Sequence, residues 1–355
     1  MAVARRDRPL VPSVAVLVNG TPLSPDATAH LRAVTVEADV GLPSMFAVEL
    51  AGSDDENAPL PWIDDALFAI GNGVEVKMGY QDDLDRLIAG EIVGLEPAFA
   101  HDRLPTLTVR GYDRRHRLQR GRKTRTFVQQ KDSDIVSQIA GEAGLTAQIQ
   151  DSQVVHDYVL QANQSDMDFL HERARRIQYE VVVDDKTLAF RPVANDASET
   201  VTLALDADLL DFHPRLSSLR QLGEVTVRGW SLKDKKGITG TAKTGDEVST
   251  MGGQQSGPAL SGTFDGASVA IGDRPILTQA EADQLAKARF NNVALALITG
   301  ELTCLGRTDV RPGNVVKIAG AGNRFSGQYY VTAATHRYSP RDGYFTRFTV
   351  CRNAS

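Results

Sequence analysis

The sequence predicts a β-rich α+β protein in which two related antiparallel β-barrels flank an α+β insert. Two observations carry this prediction. First, a Gly-led alternating strand, a second Gly-led strand and a Thr-rich strand follow one another near both ends of the 355-residue chain. Second, apolar residues at helical spacing of three or four occur between these two stretches. Alternation with period two is typical of strands, whereas three-to-four spacing is typical of helices.

The two terminal stretches resemble each other in order and spacing. The first begins at residues 72–79 (NGVEVKMG) and the second at residues 312–320 (PGNVVKIAG). Their alignment pairs Lys77 with Lys317 and Gly90 with Gly327. We interpret this as a duplicated module with these residues at equivalent positions. The alternative is that two unrelated antiparallel meanders share a common pattern.

Composition places the chain among ordinary globular proteins. Hydrophobic residues make up 42% and charged residues 24% of the chain, and the formal net charge is −6. The acidic balance argues mildly against a general nucleic-acid binder. Two cysteines exclude a disulfide framework. No apolar run predicts a membrane span or a signal peptide, so we expect the protein to be made and kept in a cytoplasm, or to leave it by a route with no cleaved signal.

The predicted organisation follows the chain from strand-rich to mixed and back to strand-rich segments. Strands at 12–19, 31–38 and 45–50 begin the first barrel. The predicted units are a first barrel at 12–118, completed by strands within 200–231, an insert at 125–198, a Gly-rich arm at 232–275, a helix at 276–295 and a second barrel at 296–352.

Capping residues and turn residues define the elements between the barrels. Asp132 or Ser133 is the predicted N-cap of a helix that ends before Gly144. A second begins at Ser165, where Asp168 completes a pattern like a capping box, and a strand hairpin follows. The Gly-rich arm has the composition of a loop, and a loop of that length is functional or disordered. Thr278 and Glu281 form the capping box of the later helix.

A basic run marks the junction between the first barrel and the insert. It consists of Arg114, Arg115, Arg117, Arg120, Arg122, Lys123 and Arg125. Such a run can hold phosphates, but few aromatic residues interleave it to stack bases. The interpretation that we favour is a surface paired with acidic neighbours. The run and the lysines of the Gly-rich arm, Lys233, Lys235 and Lys236, are the candidate partner or subunit contacts.

No catalytic motif is recognisable in the chain. There is no Gly-x-Ser-x-Gly sequence and no phosphate-binding loop ending in Gly-Lys-Ser/Thr. The seven histidines are scattered without metal-ligand spacing. Aspartate pairs occur in turns, where Asp is favoured for backbone hydrogen bonding. We therefore expect no enzyme activity, no metal and no cofactor.

Several spaced motifs resemble the family of phage late control protein D and the hub part of VgrG proteins. Residues 161–170 (QANQSDMDFL), followed by Arg173, Ala174 and Tyr179, are similar to a characteristic segment of that family. Gln178 stands where the family often has Gly. Further similar segments are Gly111-Tyr112-Asp113 with the residues after it, Gly313 to Val316, and Gly327 to Val331 with His336. The resemblance spans roughly residues 12 to 352.

The resemblance implies a structural baseplate hub of a contractile injection system or phage-tail-like particle. Such hubs are homotrimers whose duplicated barrels form a pseudo-sixfold ring. They join a sixfold inner tube above to a threefold spike below and contact baseplate wedge proteins. No needle repeat follows the second barrel here, so we expect the spike to be a separate polypeptide. The alternatives are a binding module that contacts nucleic acid through residues 114–125 and, less favoured, a cell-wall hydrolase.

Overall fold

A computed structural model describes residues 11–53, 60–101, 103–264, 266–273 and 275–355. The N-terminal residues on which the expectation about a signal peptide depends lie outside this part of the chain. The longest described helix has 16 residues, and none of the described helices combines the length and apolarity that a membrane crossing needs.

The N-terminal β-module is an antiparallel sheet with buried branched and aromatic side chains on one face. Val36, Phe46, Val76 and Ile92 belong to its core and are almost fully buried. Its elements are β1 (Pro12–Val18), β2 (Thr21–Pro22), α1 (Pro25–Ala29), β3 (Leu31–Asp39), β4 (Met45–Ala51), a 3₁₀ turn (Ala66–Phe68), β5 (Gly73–Tyr80), β6 (Asp83–Ala100) and β7 (Arg103–Tyr112).

The α+β insert has its own core beneath two small sheets. Phe127 and Phe169 stack with ring centroids 5.7 Å apart, and Ser165 caps the second long helix as its motif predicts. Its elements are α2 (Arg115–Leu118), β8 (Lys123–Lys131), α3 (Asp132–Glu142), β9 (Thr146–Ile149), β10 (Val155–Gln164), α4 (Asp166–Arg176), β11 (Tyr179–Asp184) and β12 (Thr187–Pro192).

The remaining chain contributes a second β-module and a smaller sheet covered by a helix. The elements are β13 (Val201–Ala204), β14 (Leu209–Leu216), β15 (Glu224–Ser231), β16 (Lys236–Lys243), α5 (Gly257–Ser261), a 3₁₀ turn (Gly262–Phe264), β17 (Ser268–Ile271), α6 (Gln279–Ala294), β18 (Ile298–Leu305), β19 (Val315–Ala319), α7 (Gly322–Phe325), β20 (Gly327–Ser339) and β21 (Gly343–Arg352).

The strands within 200–231 do not complete the first module, contrary to the sequence-based expectation. β13 pairs with β19 and β14 pairs with β18, so both belong to the second module. β15 pairs with β16 and β17 in the separate sheet. Alternating apolar residues identify these segments as strands, but the pairing partner is set by long-range packing that the local pattern does not contain.

The segment 232–275 is also more ordered than a Gly-rich arm. It contains β16, α5 and β17, and Met251 within it is fully buried. Its backbone bonds to the end of the chain, since the N–H groups of Gln254 and Gln255 donate to the Ser355 carbonyl oxygen at 2.9 and 3.1 Å. α6 packs on the β15–β16 hairpin, and Gly240 allows its backbone to approach closely.

β20 joins the two modules into one continuous sheet. Its first part, from Gly327 to Tyr330, pairs with β19. Its second part, from Ala333 to Tyr338, pairs antiparallel with β3 of the first module. A single strand thus supplies ladder hydrogen bonds to both modules.

Candidate interaction surfaces

The two β-modules have the same strand order. In space the first runs β1-β5-β6-β7-β4-β3 and the second runs β13-β19-β20-β21-β18-β14. Numbered by position along the chain, the two orders are identical. All neighbouring pairs are antiparallel in both, apart from the parallel pairing of β13 with β19. The repeat therefore extends beyond a generic meander.

Bulges fix which residues correspond. The β6–β7 ladder skips Val93, and the β20–β21 ladder skips Thr332. The β3–β4 ladder skips Arg32, and the β14–β18 ladder skips Leu210. A bulge inserts one unpaired residue at a defined place in a ladder. Because both bulges recur at matching points, they align the two modules residue by residue.

This alignment differs from the one that the sequence suggests. The ladders pair Gly73 with Glu91 and Val315 with Tyr330, and the bulges make Glu91 and Tyr330 equivalent. Lys317 then corresponds to Glu75, two residues from Lys77 on the same strand face. By the same register Gly327 corresponds to Ile88, and Gly90 corresponds to Tyr329. The alignment suggested by the sequence matched identical residues that are two positions out of register. Because side chains alternate between the two faces of a strand, a shift of two residues leaves each residue on the same face.

Two strand edges of the repeated unit lack a partner strand in the described part of the chain. The second part of β6, from Gly94 onward, pairs with β7 on one side. Its counterpart in β20 also pairs with β3 on the other side. Likewise, β14 pairs with β18, and on its other side a single bridge joins Leu209 to Leu205. Unpaired edges of this kind are templates for strand addition by another chain.

Most cations of the basic run have acidic or carbonyl partners inside the chain. Arg115 is buried and donates from Nε to Asp113 Oδ2 at 2.9 Å. Arg114 and Arg117 pair with Glu91. Burial raises the pKa of Glu91, but hydrogen bonds from Arg117 and His116 and the charges of Arg117 and Arg114 hold it below its usual value. Arg122 donates to the Asn163 carbonyl oxygen at 2.8 Å.

The end of the run is tied to the insert. Lys123 and Arg125 both contact Asp166, at 2.7 and 2.8 Å, and both contact Glu142. Arg120 is exposed, and its side chain has no bonding partner within the described residues. A run paired in this way fastens the first module to the insert and leaves little free positive charge for phosphates.

The lysines at the tip of the β15–β16 hairpin are exposed. Lys233, Lys235 and Lys236 lie in this tip, and Lys236 is 3.9 Å from Asp234. Leu232 beside them is 74% exposed. The tip therefore presents positive charge beside exposed apolar surface.

Buried titratable groups form structural ion pairs. Asp132, His156 and Arg173 contact one another in the insert core. Burial opposes ionisation of Asp132, but hydrogen bonds from His156 and Arg173 and the Arg173 charge hold its pKa below the usual range. Across the described ranges, no cluster of three His, Cys, Asp or Glu side chains is placed to hold a metal ion.

The arrangement of modules and insert is shared with phage tail proteins of known structure. A 43 kDa tail protein of prophage MuSo2 from Shewanella oneidensis aligns with a TM-score of 0.70 at 13% identity, over 96% of this chain and 98% of that chain. The tail protein from Neisseria meningitidis MC58 gives 0.70 at 13% identity, over 96% and 97%. The fold is thus that of phage tail proteins.

A type VI secretion component of Escherichia coli, described as similar to the T4 tail proteins gp27 and gp5, aligns with a TM-score of 0.60 at 13% identity, over 92% of this chain and 74% of that chain.

The chain belongs to the Alg8 N-terminal domain family, whose model matches residues 9–339. That description differs from the late control protein D family that residues 161–179 resemble. No curated protein matches the sequence.

Proposed function

We propose that the chain is the non-catalytic hub subunit of a contractile injection system or phage-tail-like particle. In this proposal a homotrimer joins a sixfold inner tube to a threefold spike. The observation that carries the proposal is the repeated module with one strand order and matching bulges. A chain that presents the same module twice lets three copies offer six similar surfaces.

The open edges suggest how copies join. Within one chain, the second part of β20 pairs with β3. The equivalents of these two strands are β6 and β14, and each has an edge without a partner strand among the described residues. We therefore propose that the second part of β6 in one copy pairs antiparallel with β14 of the next copy. The contact between copies would repeat the contact between modules.

The register of that pairing follows from the β20–β3 ladder. In that ladder Thr335 lies opposite Glu37. The bulge-based alignment makes Glu96 the equivalent of Thr335 and Arg215 the equivalent of Glu37. The proposed contact thus places opposite charges directly across from each other. Pro97 and Pro214 would also face each other and exchange no hydrogen bond, so the flanking residues carry the ladder. Prolines on free edges also hinder pairing with unrelated strands.

A contact between two different surfaces produces either a closed ring or an open filament. In a ring of three copies, first and second modules alternate around the axis with approximate sixfold symmetry. A separate spike protein would dock below, the inner tube would stack above, and wedge proteins would bind the periphery. The exposed hairpin tip with Lys233, Lys235 and Lys236 is our candidate for one of these partner contacts.

Light scattering and negative-stain microscopy of the purified chain test this proposal. We expect a mass near three times that of the chain and ring-shaped particles with six lobes. We also expect the chain in purified tail-like particles from a producing strain. A chain that stays monomeric at micromolar concentration and is absent from such particles would contradict the proposal.

A further inference from the structure

A basic cavity of about 900 Å³ lies at the start of β20. Its walls come from the segment at 251–255, the turn at 323–328 and the end of β21. Three cationic side chains line it, those of Lys317, Arg324 and Arg352. No Asp or Glu side chain is among the described residues that line it, although Ser355, at the end of the given sequence, lines it as well. A hollow with an excess of one sign of charge concentrates ions of the other sign.

Arg352 is the unusual member of this group because it is buried without an acidic partner. The residue is 2% exposed. Its Nη1 donates to the Ser326 carbonyl oxygen at 2.8 Å, and its guanidinium lies 5.5 Å from the centroid of the Tyr329 ring. Its Nε is buried and has no hydrogen-bond partner. Within the described chain no carboxylate pairs with it, and a buried unpaired charge is costly.

The first module shows how such a position can be satisfied internally. The bulge-based register makes Asp113 the equivalent of Arg352. Asp113 is equally buried, but it accepts hydrogen bonds from Arg115 and from the Ser44 N–H at 2.8 Å. The second module has a charge at the same place and no counter-charge among the residues that the structure describes. The difference points to a partner outside that part of the chain.

Gly327 keeps the guanidinium next to the cavity. A Cβ at this position would lie 2.6 Å from Arg352 Nη2, and the backbone φ of +139° further disfavours any other residue. The glycine thus leaves room for the fork of N–H donors beneath the start of β20. A planar guanidinium of this kind matches oxyanions with two parallel hydrogen bonds.

We infer that this cavity binds an oxyanion of the phosphate class, with Arg352 as its buried anchor and Lys317 and Arg324 as outer contacts. Phosphate is favoured over a single carboxylate because a group with about two negative charges balances three cations better. The volume leaves space for a small phosphorylated molecule. Glu199 is the acidic group at the margin, where its carboxylate accepts from Gln328 Nε2 at 2.7 Å.

Calorimetric titration with inorganic phosphate at constant ionic strength tests the inference, with acetate as a second arm. We expect saturable phosphate binding, weakened about tenfold by Lys317→Gln or Arg324→Gln, since each removes a charged hydrogen bond. Arg352→Lys should also weaken binding because a lysine lacks the planar fork. Glu199→Gln should tighten binding by removing a competing negative charge.

Arg337→Gln is the matched control, because Arg337 is exposed at the far end of the same strand, β20. It should leave phosphate affinity unchanged. Equal binding of acetate and phosphate would overturn the assignment to phosphate. Absence of binding at millimolar phosphate, or equal loss with Arg337→Gln, would overturn the site itself. The result does not depend on ring formation, since the same titration can be done on a monomeric variant.

Discussion

Gly71 and Gly313 occupy the same backbone site in the two β-modules. Their φ angles are +94° and +87°. The Gly71 N–H donates to the Ile92 carbonyl oxygen at 2.8 Å, and the Gly313 N–H donates to the Val331 carbonyl oxygen at 2.9 Å. In both modules the carbonyl oxygen of the asparagine that follows accepts a 2.9 Å hydrogen bond from the N–H of the same strand residue. The repeat thus extends to individual hydrogen bonds.

Replacing either glycine by alanine should destabilise the protein. At these φ angles a Cβ is strained, and we expect a loss of about 1 kcal/mol or more in the free energy of unfolding for Gly71→Ala. Gly313→Ala should cost more, because its Cβ would also lie 3.1 Å from Arg191 Nη2. Urea unfolding at fixed protein concentration measures both.

Gly141→Ala is the control for these variants. Gly141 lies in helix α3, has no positive φ, and has open space where a Cβ would stand. Alanine there should stabilise the helix by about 0.5 to 1 kcal/mol. If all three substitutions had similar effects, the shared backbone site would not be the reason for the glycines.

The proposed pairing between copies predicts a charge-reversal rescue. Arg215→Glu should place two carboxylates opposite each other and shift the chain toward monomer in light scattering. Adding Glu96→Arg should restore the larger mass, at least in part. Arg110, which now pairs with Glu96 at 2.8 Å, would repel the new arginine, so the rescue should be incomplete.

Lys287→Glu serves as the control for charge reversal, since Lys287 is exposed on α6, away from both open edges. It should leave the mass unchanged. Failure of the double variant to recover any mass, while both single variants remain folded, would exclude this register of pairing.

The basic run should prove structural where it is buried. Arg115→Ala removes the partner of buried Asp113 and the donor to Ser44 Oγ at 2.8 Å. We expect a loss of about 3 to 5 kcal/mol, because a buried charge is left unpaired. Arg120→Ala should change stability by less than about 0.5 kcal/mol, as expected of an exposed side chain. Thermal and urea unfolding distinguish the two, and equal effects would contradict the assigned roles.

Stability should fall in mild acid because of two buried histidines. Burial lowers the pKa of His171 to about 4 and that of His336 to about 3. In the unfolded chain each histidine takes up a proton near pH 6.5, whereas in the folded protein it stays neutral until the pH approaches its lowered pKa. The free energy of unfolding is therefore highest above pH 6.5 and declines as the pH drops toward the pKa values of the folded protein. Each histidine should contribute a slope of about 1.4 kcal/mol per pH unit.

His336→Gln isolates one of these contributions. The variant loses the bond between His336 Nδ1 and the Tyr344 hydroxyl, at 2.9 Å, and should be less stable at pH 7. Its stability should nevertheless fall less steeply between pH 6 and 5 than that of the parent chain. An unchanged slope would show that His336 is not the group that takes up the proton on unfolding.

Local features of the fold were predictable from the sequence. Ser165 and Thr278 cap helices as their motifs indicate, because an N-cap is a contact within a few residues. Gly144 follows α3 with a φ of +69°, as a glycine after a helix should. The strands near 72 and 312 were identified for the same reason, since alternation is local.

The pairing of the strands and the register of the two modules were harder to predict from the sequence. Lys77 and Lys317 share a letter pattern, but the ladders align Lys317 with Glu75. The stronger signal was the Gly-Asn pair at 71–72 and 313–314, which supplies the positive φ and the return bond. The cavity around Arg352 was not predicted, because its lining residues come from segments that are well separated in the chain, at 251–255, 317–328 and 352–355.

The division of β20 between two modules has a mechanical consequence. The backbone of β3 is hydrogen-bonded to the second part of β20, so a fragment that contained only one module would expose an unpaired strand edge. A force that separates the two modules must break the backbone hydrogen bonds between residues 333–338 and residues 34–39. The two modules are therefore joined by a continuous sheet and not by a hinge, and we expect them to move as one rigid body under load.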